Sequence, residues 1–208
     1  MKSYIIHFIR HGSIDDTLAG KYIGTTDAPL SDRGRMDLRK LDYEYKYPGT
    51  QVVFTSPLKR CTETAKILYP EQNPLVIDNL SECNFGEWEG KTADELKNDP
   101  DFEKWLAGDS SVKPPRGESN AEFIRRVCKM FESIVEGLMK TGTTESVIVT
   151  HGGVIMTLLA VYGLPQAKPF EWTMDNGFGY SLRVTPVLWQ RDKVCEVFQT
   201  IPLPSEND

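Results

Sequence analysis

The chain has 208 residues, a hydrophobic fraction of 39%, a charged fraction of 26% and a formal net charge of -6. A chain of this length can bury a large core, so we expect a single domain over residues 1–208. The acidic balance argues against a general nucleic-acid binder, because such proteins present a basic surface. An anion site in this protein would have to be a local positive pocket.

The predicted elements alternate between strands and helices. Because helices separate most of the strands, we expect a three-layer α/β/α fold around a mostly parallel sheet. Residues 85–118 contain only short helical patterns and are expected to form a small helical insertion over one end of the sheet. The last two strands are joined by a short linker and are expected to pair antiparallel. The predicted strands, in chain order, are Ser3–Ile9, Gln51–Thr55, Leu75–Ile77, Ser146–Thr150, Tyr180–Thr185 and Val194–Gln199.

Capping residues mark the predicted helix starts. Ser31 predicts a helix that runs to about Tyr45 and turns Met36 toward the core. Ser56 followed by Pro57 predicts a second helix, with serine as the N-cap and proline at the first helical position. The remaining signals are two capping boxes and one terminal glycine: Thr92 with Glu95, Ser119 with Glu122, and Gly142.

The N-terminus and the cysteines predict where the protein resides. The apolar run from Tyr4 to Ile9 is too short for a signal peptide or a membrane-spanning helix. None of the four cysteines belongs to a CxxC pair, which is typical of free thiols in a reducing compartment. We therefore expect a cytoplasmic protein with no membrane partner and no nucleic-acid partner. The sequence makes no prediction of oligomeric state.

Two histidines follow apolar strands and precede glycines. His11 comes after the first strand and His151 after the fourth, and parallel strands end at the edge where open α/β sheets bind ligands. Arg10 can bind an anion through its guanidinium, and the amide of Gly152 offers a further anion-binding turn. A structural role at a strand end is the alternative for a single histidine, but the repeated pattern favours a site. His7, inside the first strand, is interpreted as a satisfied sheet histidine.

An arginine and a glutamate extend this candidate site. Arg60 lies in the first turn of the helix that begins at Ser56, and helix N-termini attract anions. A solvated surface arginine is the alternative. Glu82 follows a strand into a loop with Phe85 and Trp88, which would bury the carboxyl and raise its pKa. A raised pKa suits a general acid near neutral pH, although Glu82 alone is one of 30 acidic residues.

Four motifs resemble those of the histidine phosphatase superfamily, which has the phosphoglycerate mutase-like fold. The R-H-G signature alone is a weak signal, but four motifs in the family's order are a strong one. They are R-H-G at residues 10–12, S-P-x-x-R-x-x-x-T-A at residues 56–65, the general-acid loop at residues 82–90, and the second-histidine motif at residues 150–153.

This resemblance implies metal-independent hydrolysis of a small phosphomonoester. It makes His11 the residue that is phosphorylated and Glu82 the general acid. It makes Arg10, Arg60 and His151 the groups that hold the phosphate oxygens. It implies no metal ion and no cofactor, and the expected partner is a small phosphorylated metabolite.

The stretch at residues 20–31 resembles the α-ribazole phosphatase-like members of the family, so α-ribazole 5′-phosphate is the substrate that the branch suggests. Ile14 departs from the family's polar pattern because its side chain cannot donate a hydrogen bond to phosphate. Thr17 stands where the family commonly has asparagine. The expected substrate-binding residues are Thr17, Ile23, Gly24 and Gly152.

Two alternatives to hydrolysis stay open. The first is phosphoglycerate mutase-type phosphotransfer, in which the phosphate returns to the substrate. The acid loop favours a phosphatase, because Glu82 is followed by F-G-x-W-E-G rather than by the E-R-x-Y-G pattern of mutases. The second is a catalytically silent domain that binds a phosphorylated ligand, and the intact His11 and Glu82 argue against it.

Overall fold

Strands and helices alternate along most of this chain, as predicted. The computed structural model describes residues 2–109 and 111–204. Its strands are β1 (Tyr4–Arg10), β2 (Tyr45–Lys46), β3 (Val52–Thr55), β4 (Leu75–Val76), β5 (Glu145–Thr150), β6 (Gly163–Leu164), β7 (Gly179–Val184), β8 (Cys195–Ile201) and β9 (Leu203–Pro204). Its α-helices are α1 (Asp32–Glu44), α2 (Lys59–Leu68), α3 (Ala93–Leu96), α4 (Pro100–Leu106), α5 (Asn120–Thr141), α6 (Gly152–Tyr162) and α7 (Pro186–Asp192).

A seven-stranded sheet in the order β4-β3-β5-β1-β7-β8-β6 forms the centre of the protein. The pairs β3–β4, β3–β5, β1–β5 and β6–β8 are parallel, whereas β1–β7 and β7–β8 are antiparallel. The predicted antiparallel pairing of the last two long strands is therefore confirmed. In the register of β1 with β5, Arg10 pairs with Thr150, so the residues that follow the two strands lie side by side.

Helices cover both faces of the sheet, which confirms the three-layer α/β/α prediction. On one face, Ile6, Phe8 and Ile148 belong to a core that is completed by apolar residues of α5, α6 and α7. On the other face, Ile9 and Val149 belong to a core that is completed by residues of α1 and α2. Successive residues of a strand point to opposite faces, which explains how each buried strand supplies both cores.

Two details of the helix predictions are wrong. In α1 the predicted Ser31 cap is present, and its hydroxyl accepts from the Gly34 amide at 2.9 Å, but Met36 is 67% exposed. The inward position is taken by Leu38, two residues later. Helix α2 begins at Lys59, and Ser56 is not its N-cap.

The linker between β7 and β8 also differs from the prediction. The linker between the two strands contains α7, which starts with Pro186 and buries Trp189 against the first core. Proline is tolerated at the first helical position, because the N–H group that proline lacks would have no intrahelical acceptor there. The capping boxes of α3 and α5 and the left-handed glycine at Gly142, with φ of 75°, are confirmed.

Residues 85–118 contain α3, α4 and a small core of their own. Trp88, Leu96 and Phe102 are buried in it, and Tyr22, Phe85 and Trp105 pack against them. The indole N–H of Trp88 donates to the Asp99 carboxylate at 3.0 Å. The aromatic side chains of this region therefore pack mainly with one another.

A bilayer-spanning helix would need about 20 consecutive apolar residues. None of the helices in residues 2–109 and 111–204 has that length and apolar character.

Candidate active site

His11 lies at the end of β1 with its imidazole in a fixed tautomer. Its Nδ1 is 2.8 Å from the carbonyl oxygen of Gly12, and a carbonyl can only accept, so Nδ1 carries the hydrogen. Burial, followed by the positive charges of Arg60 and Arg10, lowers the pKa of His11 to about 3, although the bond to Gly12 opposes the shift. The ring is therefore neutral at physiological pH, and Nε2 holds a free electron pair.

The backbone around His11 is held by three elements. The His11 amide donates to the Thr150 carbonyl at 3.0 Å, and the Gly12 amide donates to the Thr64 hydroxyl at 2.9 Å. The side-chain amide of Asn176 donates to the His11 carbonyl at 2.7 Å. Since β5, α2 and the segment before β7 all contribute, the position of the imidazole is determined by long-range contacts.

Arg10 supplies a buried donor without a protein acceptor. One terminal nitrogen of its guanidinium donates to the Met174 carbonyl at 2.8 Å. Its Nε is buried and has no hydrogen-bond partner among the described residues. Burial lowers the pKa of Arg10, and the charges of Glu82 and Asp175 oppose that shift. An unpaired buried N–H costs about 1–3 kcal/mol, which an anion in the site would recover.

Arg60 lies in the first turn of α2 and is only 1% exposed. Its terminal nitrogens donate to the carbonyl oxygens of Thr26 and Gly24, each at 2.7 Å. Its Nε donates to Nδ1 of His151 at 3.2 Å. The predicted position near the strand ends is therefore observed, and the guanidinium is held on three sides.

The loop that holds Arg60 is in turn held by Glu89. The Glu89 carboxylate accepts from the backbone amides of Gly24, Thr25 and Thr26 at 3.0, 2.8 and 3.3 Å. Gly24, predicted to bind substrate, instead contributes its carbonyl to Arg60. A Cβ at Gly24 would overlap the Cys83 carbonyl oxygen, which explains the glycine there.

His151 follows β5 and lies behind His11, with 5.2 Å between the two ring centroids. Its Nδ1 accepts from Arg60, so in the neutral ring Nε2 carries the hydrogen and donates to the Ser56 hydroxyl at 2.8 Å. Burial, followed by His11 and Arg60, lowers the pKa of His151 well below its ordinary value. Both ring nitrogens are thus bound to protein groups. Ser56 lies two residues before Leu58, the N-cap of α2, and its hydroxyl also accepts from the Leu58 amide at 3.4 Å.

Glu82 lies in the loop of residues 82–90, and its carboxylate contacts the first turn of α6. One carboxylate oxygen accepts from the Cys83 amide at 3.0 Å and the other from the Gly153 amide at 2.9 Å. Burial raises the pKa of Glu82, and these amides together with Arg60 and Arg10 oppose the shift. Of the two aromatic residues predicted to surround it, Phe85 lines a cavity with Glu82, whereas Trp88 belongs to the core of residues 85–118.

A cavity of about 430 Å³ brings most of the predicted residues together. Thr17 is not part of its wall. It is exposed in a short turn, where its amide donates to the Asp15 carboxylate at 2.8 Å. His151 lies behind the wall. The predicted residues that line the cavity are Arg10, His11, Ile23, Arg60, Glu82 and Gly152, together with Ile14.

Several residues of the site escaped sequence reasoning. Ser56 and Thr64 lie within the S-P-x-x-R-x-x-x-T-A match, so a signal was present but no role followed from it. Asn176 had no signal, because its contact with His11 joins residues 165 positions apart. In residues 2–109 and 111–204, no group of three or more His, Cys, Asp or Glu side chains could hold a metal ion.

Two curated proteins illustrate what this chain is similar to in sequence. Phosphoserine phosphatase 1 of Hydrogenobacter thermophilus is 29% identical over 174 residues, which cover 81% of each chain. The adenosylcobalamin/α-ribazole phosphatase of Salmonella typhimurium is 25% identical over 198 residues, which cover 93% of this chain and 92% of that protein.

The fold also matches a solved structure of an α-ribazole phosphatase. The α-ribazole phosphatase from Shigella flexneri superimposes with a TM-score of 0.79 at 23% identity, covering 98% of this chain and 100% of that one. The family model described as histidine phosphatase superfamily (branch 1) matches residues 6–195. The predicted resemblance is thereby confirmed, and the chain belongs to the histidine phosphatase superfamily.

Proposed function

We propose that this chain hydrolyses a small phosphomonoester through a phosphohistidine intermediate on His11. The observation that carries the proposal is the neutral His11 ring, whose Nδ1–H is bound to Gly12 and whose Nε2 keeps its electron pair. The unpaired Nε of Arg10 in the same cavity supports an anionic ligand. The phosphatase names of the matched relatives support hydrolysis as the reaction.

In the first step, Nε2 of His11 attacks phosphorus and forms a P–N bond, while the bond from phosphorus to the ester oxygen breaks. Arg10 and Arg60 stabilise the charge that spreads over the nonbridging oxygens. Glu82, whose pKa is raised by burial, acts in its protonated form and gives its proton to the departing alkoxide. The products of this step are a free alcohol, phosphorylated His11 and ionised Glu82.

In the second step, ionised Glu82 takes a proton from a water molecule. The water oxygen attacks phosphorus, the P–N bond breaks, and the electron pair returns to Nε2 of His11. Inorganic phosphate leaves, and Glu82 is again protonated. No step of this cycle calls for a metal ion or a cofactor.

We further propose α-ribazole 5′-phosphate as a substrate. The support comes from the residue 20–31 resemblance and from the names of two matched proteins. The 29% identical phosphoserine phosphatase makes O-phosphoserine the compound against which to compare it.

The test is release of inorganic phosphate by wild type and by the His11→Ala variant, with a chelator present. The compounds are α-ribazole 5′-phosphate, O-phosphoserine, 3-phosphoglycerate and nitrophenyl phosphate. We expect release by wild type and none above background by the variant. Isomerisation of 3-phosphoglycerate without phosphate release would indicate a mutase instead. Binding of a phosphorylated compound without any turnover would indicate a silent binding domain.

A further inference from the structure

A second cavity adjoins the catalytic cavity at Glu82. Its volume is about 640 Å³, and both cavities are lined by Glu82, Gly153 and Met156. Both spaces therefore border the side chain to which the proposed reaction assigns the proton transfer. The other walls of the second cavity are mostly apolar and include Phe85, Trp105, Leu106, Phe123, Ile124 and Pro169.

The walls of the two cavities differ in charge. The catalytic cavity carries Asp15, Asp16 and Lys21 in addition to its arginines. Among the described residues that line the second cavity, none is lysine or arginine, and Glu82 is the one carboxylate. An ammonium or carboxylate group that entered the second cavity would lose its hydration without gaining a strong partner. An uncharged apolar group would gain from burial there.

Exposed apolar side chains lie at this second cavity. Leu106 is 63% exposed and Ile124 is 42% exposed, and both line the cavity. Neither side chain belongs to the small core that Trp88, Leu96 and Phe102 form. Exposed apolar groups that converge on a concave surface are typical of a ligand-binding groove.

The position of Glu82 determines where the organic part of a substrate must lie. Under the proposed function, on which this inference rests, Glu82 protonates the ester oxygen, so the first carbon of the alcohol lies beside its carboxyl group. That point borders both cavities. We propose that the second cavity binds the apolar part of the substrate alcohol. The substrate class is then a monophosphate ester of an uncharged alcohol that carries an aromatic ring or a branched apolar group.

The test compares kcat/KM for three alkyl phosphates, namely 2-phenylethyl phosphate, ethyl phosphate and O-phosphoserine. Primary alkyl leaving groups need similar protonation, so the differences report mainly on binding of the organic part. Wild type should favour 2-phenylethyl phosphate over ethyl phosphate by at least about tenfold, since each methylene placed in an apolar pocket is worth about that much or more. O-phosphoserine should be the poorest of the three.

Ile124→Asp places a carboxylate at the second cavity on an exposed residue, so the fold should survive. It should lower kcat/KM for 2-phenylethyl phosphate about tenfold and change that for ethyl phosphate less than twofold. Val187→Asp is the matched control, because Val187 is 52% exposed and lies on α7, outside both cavities. It should change neither value.

Three results would overturn the proposal. These are equal wild-type values for ethyl and 2-phenylethyl phosphate, a preference for O-phosphoserine, or equal losses on both substrates in Ile124→Asp. If His11-dependent phosphate release persists in those cases, the proposed function stands and only the apolar subsite fails. If a folded wild type releases phosphate from none of the compounds, both proposals fail.

Discussion

The ends of β1 and β5 carry the same pattern in sequence but differ in chemistry. Each strand is followed by a histidine and a glycine, and both imidazoles are buried with lowered pKa values. His11 has one nitrogen bound to Gly12, and its other nitrogen has no hydrogen-bond partner within residues 2–109 and 111–204. His151 has both nitrogens bound, one by Arg60 and one by Ser56. The hydrogen-bond partners, rather than the local sequence, separate a candidate nucleophile from a positioning group.

Replacement of the two histidines by alanine should give the largest and most unequal effects. His11→Ala removes the nucleophile and should lower kcat by at least about 10⁴-fold, as the loss of a nucleophile does in other enzymes. His151→Ala should cost about 10²–10³-fold, because it disturbs the electrostatic contribution of Arg60. Steady-state phosphate release measures both. Equal losses in the two variants would remove the distinction between the histidines.

Glu82 is bound to the segment that follows β5 through the Gly153 amide. Glu82→Gln keeps the shape but cannot donate a proton to an alkoxide. We expect a loss of about 10²–10⁴-fold in the phosphorylation step on alkyl phosphates and a far smaller loss on nitrophenyl phosphate, whose leaving group needs little protonation. Single-turnover kinetics on both substrates measure this difference. Equal losses would show that Glu82 is not the acid.

Ser56→Ala removes the hydroxyl that accepts from Nε2 of His151. The buried Nε2–H would be left with the Cys61 sulfur, 3.5 Å away, which is a weak acceptor, and the lost bond should cost about 1–3 kcal/mol. We expect kcat to fall about tenfold while the phosphoenzyme on His11 still forms. Ser56→Thr keeps the hydroxyl and serves as the control. If kcat in Ser56→Ala stays at the wild-type value, the bond has no role in positioning His151.

Glu89→Gln should weaken the position of Arg60 indirectly, through the loop of residues 24–26. The carboxylate accepts from the amides of the loop whose carbonyls bind Arg60. Glutamine keeps one accepting oxygen, but its NH2 group only donates and cannot accept from these backbone amides, so we expect KM to rise about fivefold with a smaller change in kcat. Glu87→Gln, on an exposed residue two positions before Glu89, is the control. A fall in kcat without a change in KM would contradict the account.

The pH dependence of stability tests the lowered pKa values of His11 and His151. The pKa of His11 is about 3 in the folded chain and that of His151 is well below its ordinary value, so the unfolded chain takes up these protons first. The free energy of unfolding should fall as pH drops below about 6.5, by up to about 1.4 kcal/mol per pH unit for each histidine. The raised pKa of Glu82 has the opposite sign, since its contribution is present at low pH and declines as pH rises above about 4.5. Urea unfolding of His11→Gln between pH 4 and 7.5 should show a shallower dependence than wild type, and an identical one would contradict it.

The site residues that follow strands could be predicted from the sequence. The residues that position them through hydrogen bonds were predicted less well. Arg10, His11, Arg60 and Glu82 could be found because motif spacing and strand ends bring them to one edge of the sheet. Thr17 was placed in the site by family position, but the capped turn at Asp15 leaves it exposed.

Long-range contacts were beyond prediction. Ser56 was interpreted as a helix cap, since the local pattern Ser-Pro could not reveal that His151 would bind the hydroxyl. The support of His11 by Asn176 likewise depends on two chain segments that meet only in the fold. In α1, Met36 was expected inside, although the buried stripe runs through Gly34 and Leu38 instead.

The most direct test of the account is to trap the covalent intermediate. The enzyme is mixed with a substrate, quenched within milliseconds under alkaline conditions that preserve phosphohistidine, digested, and examined by mass spectrometry. We expect one phosphate on His11 in wild type and in His151→Ala, and none in His11→Ala. Phosphate on His151, or rapid turnover without any phosphohistidine, would contradict the roles that the two strand ends are given.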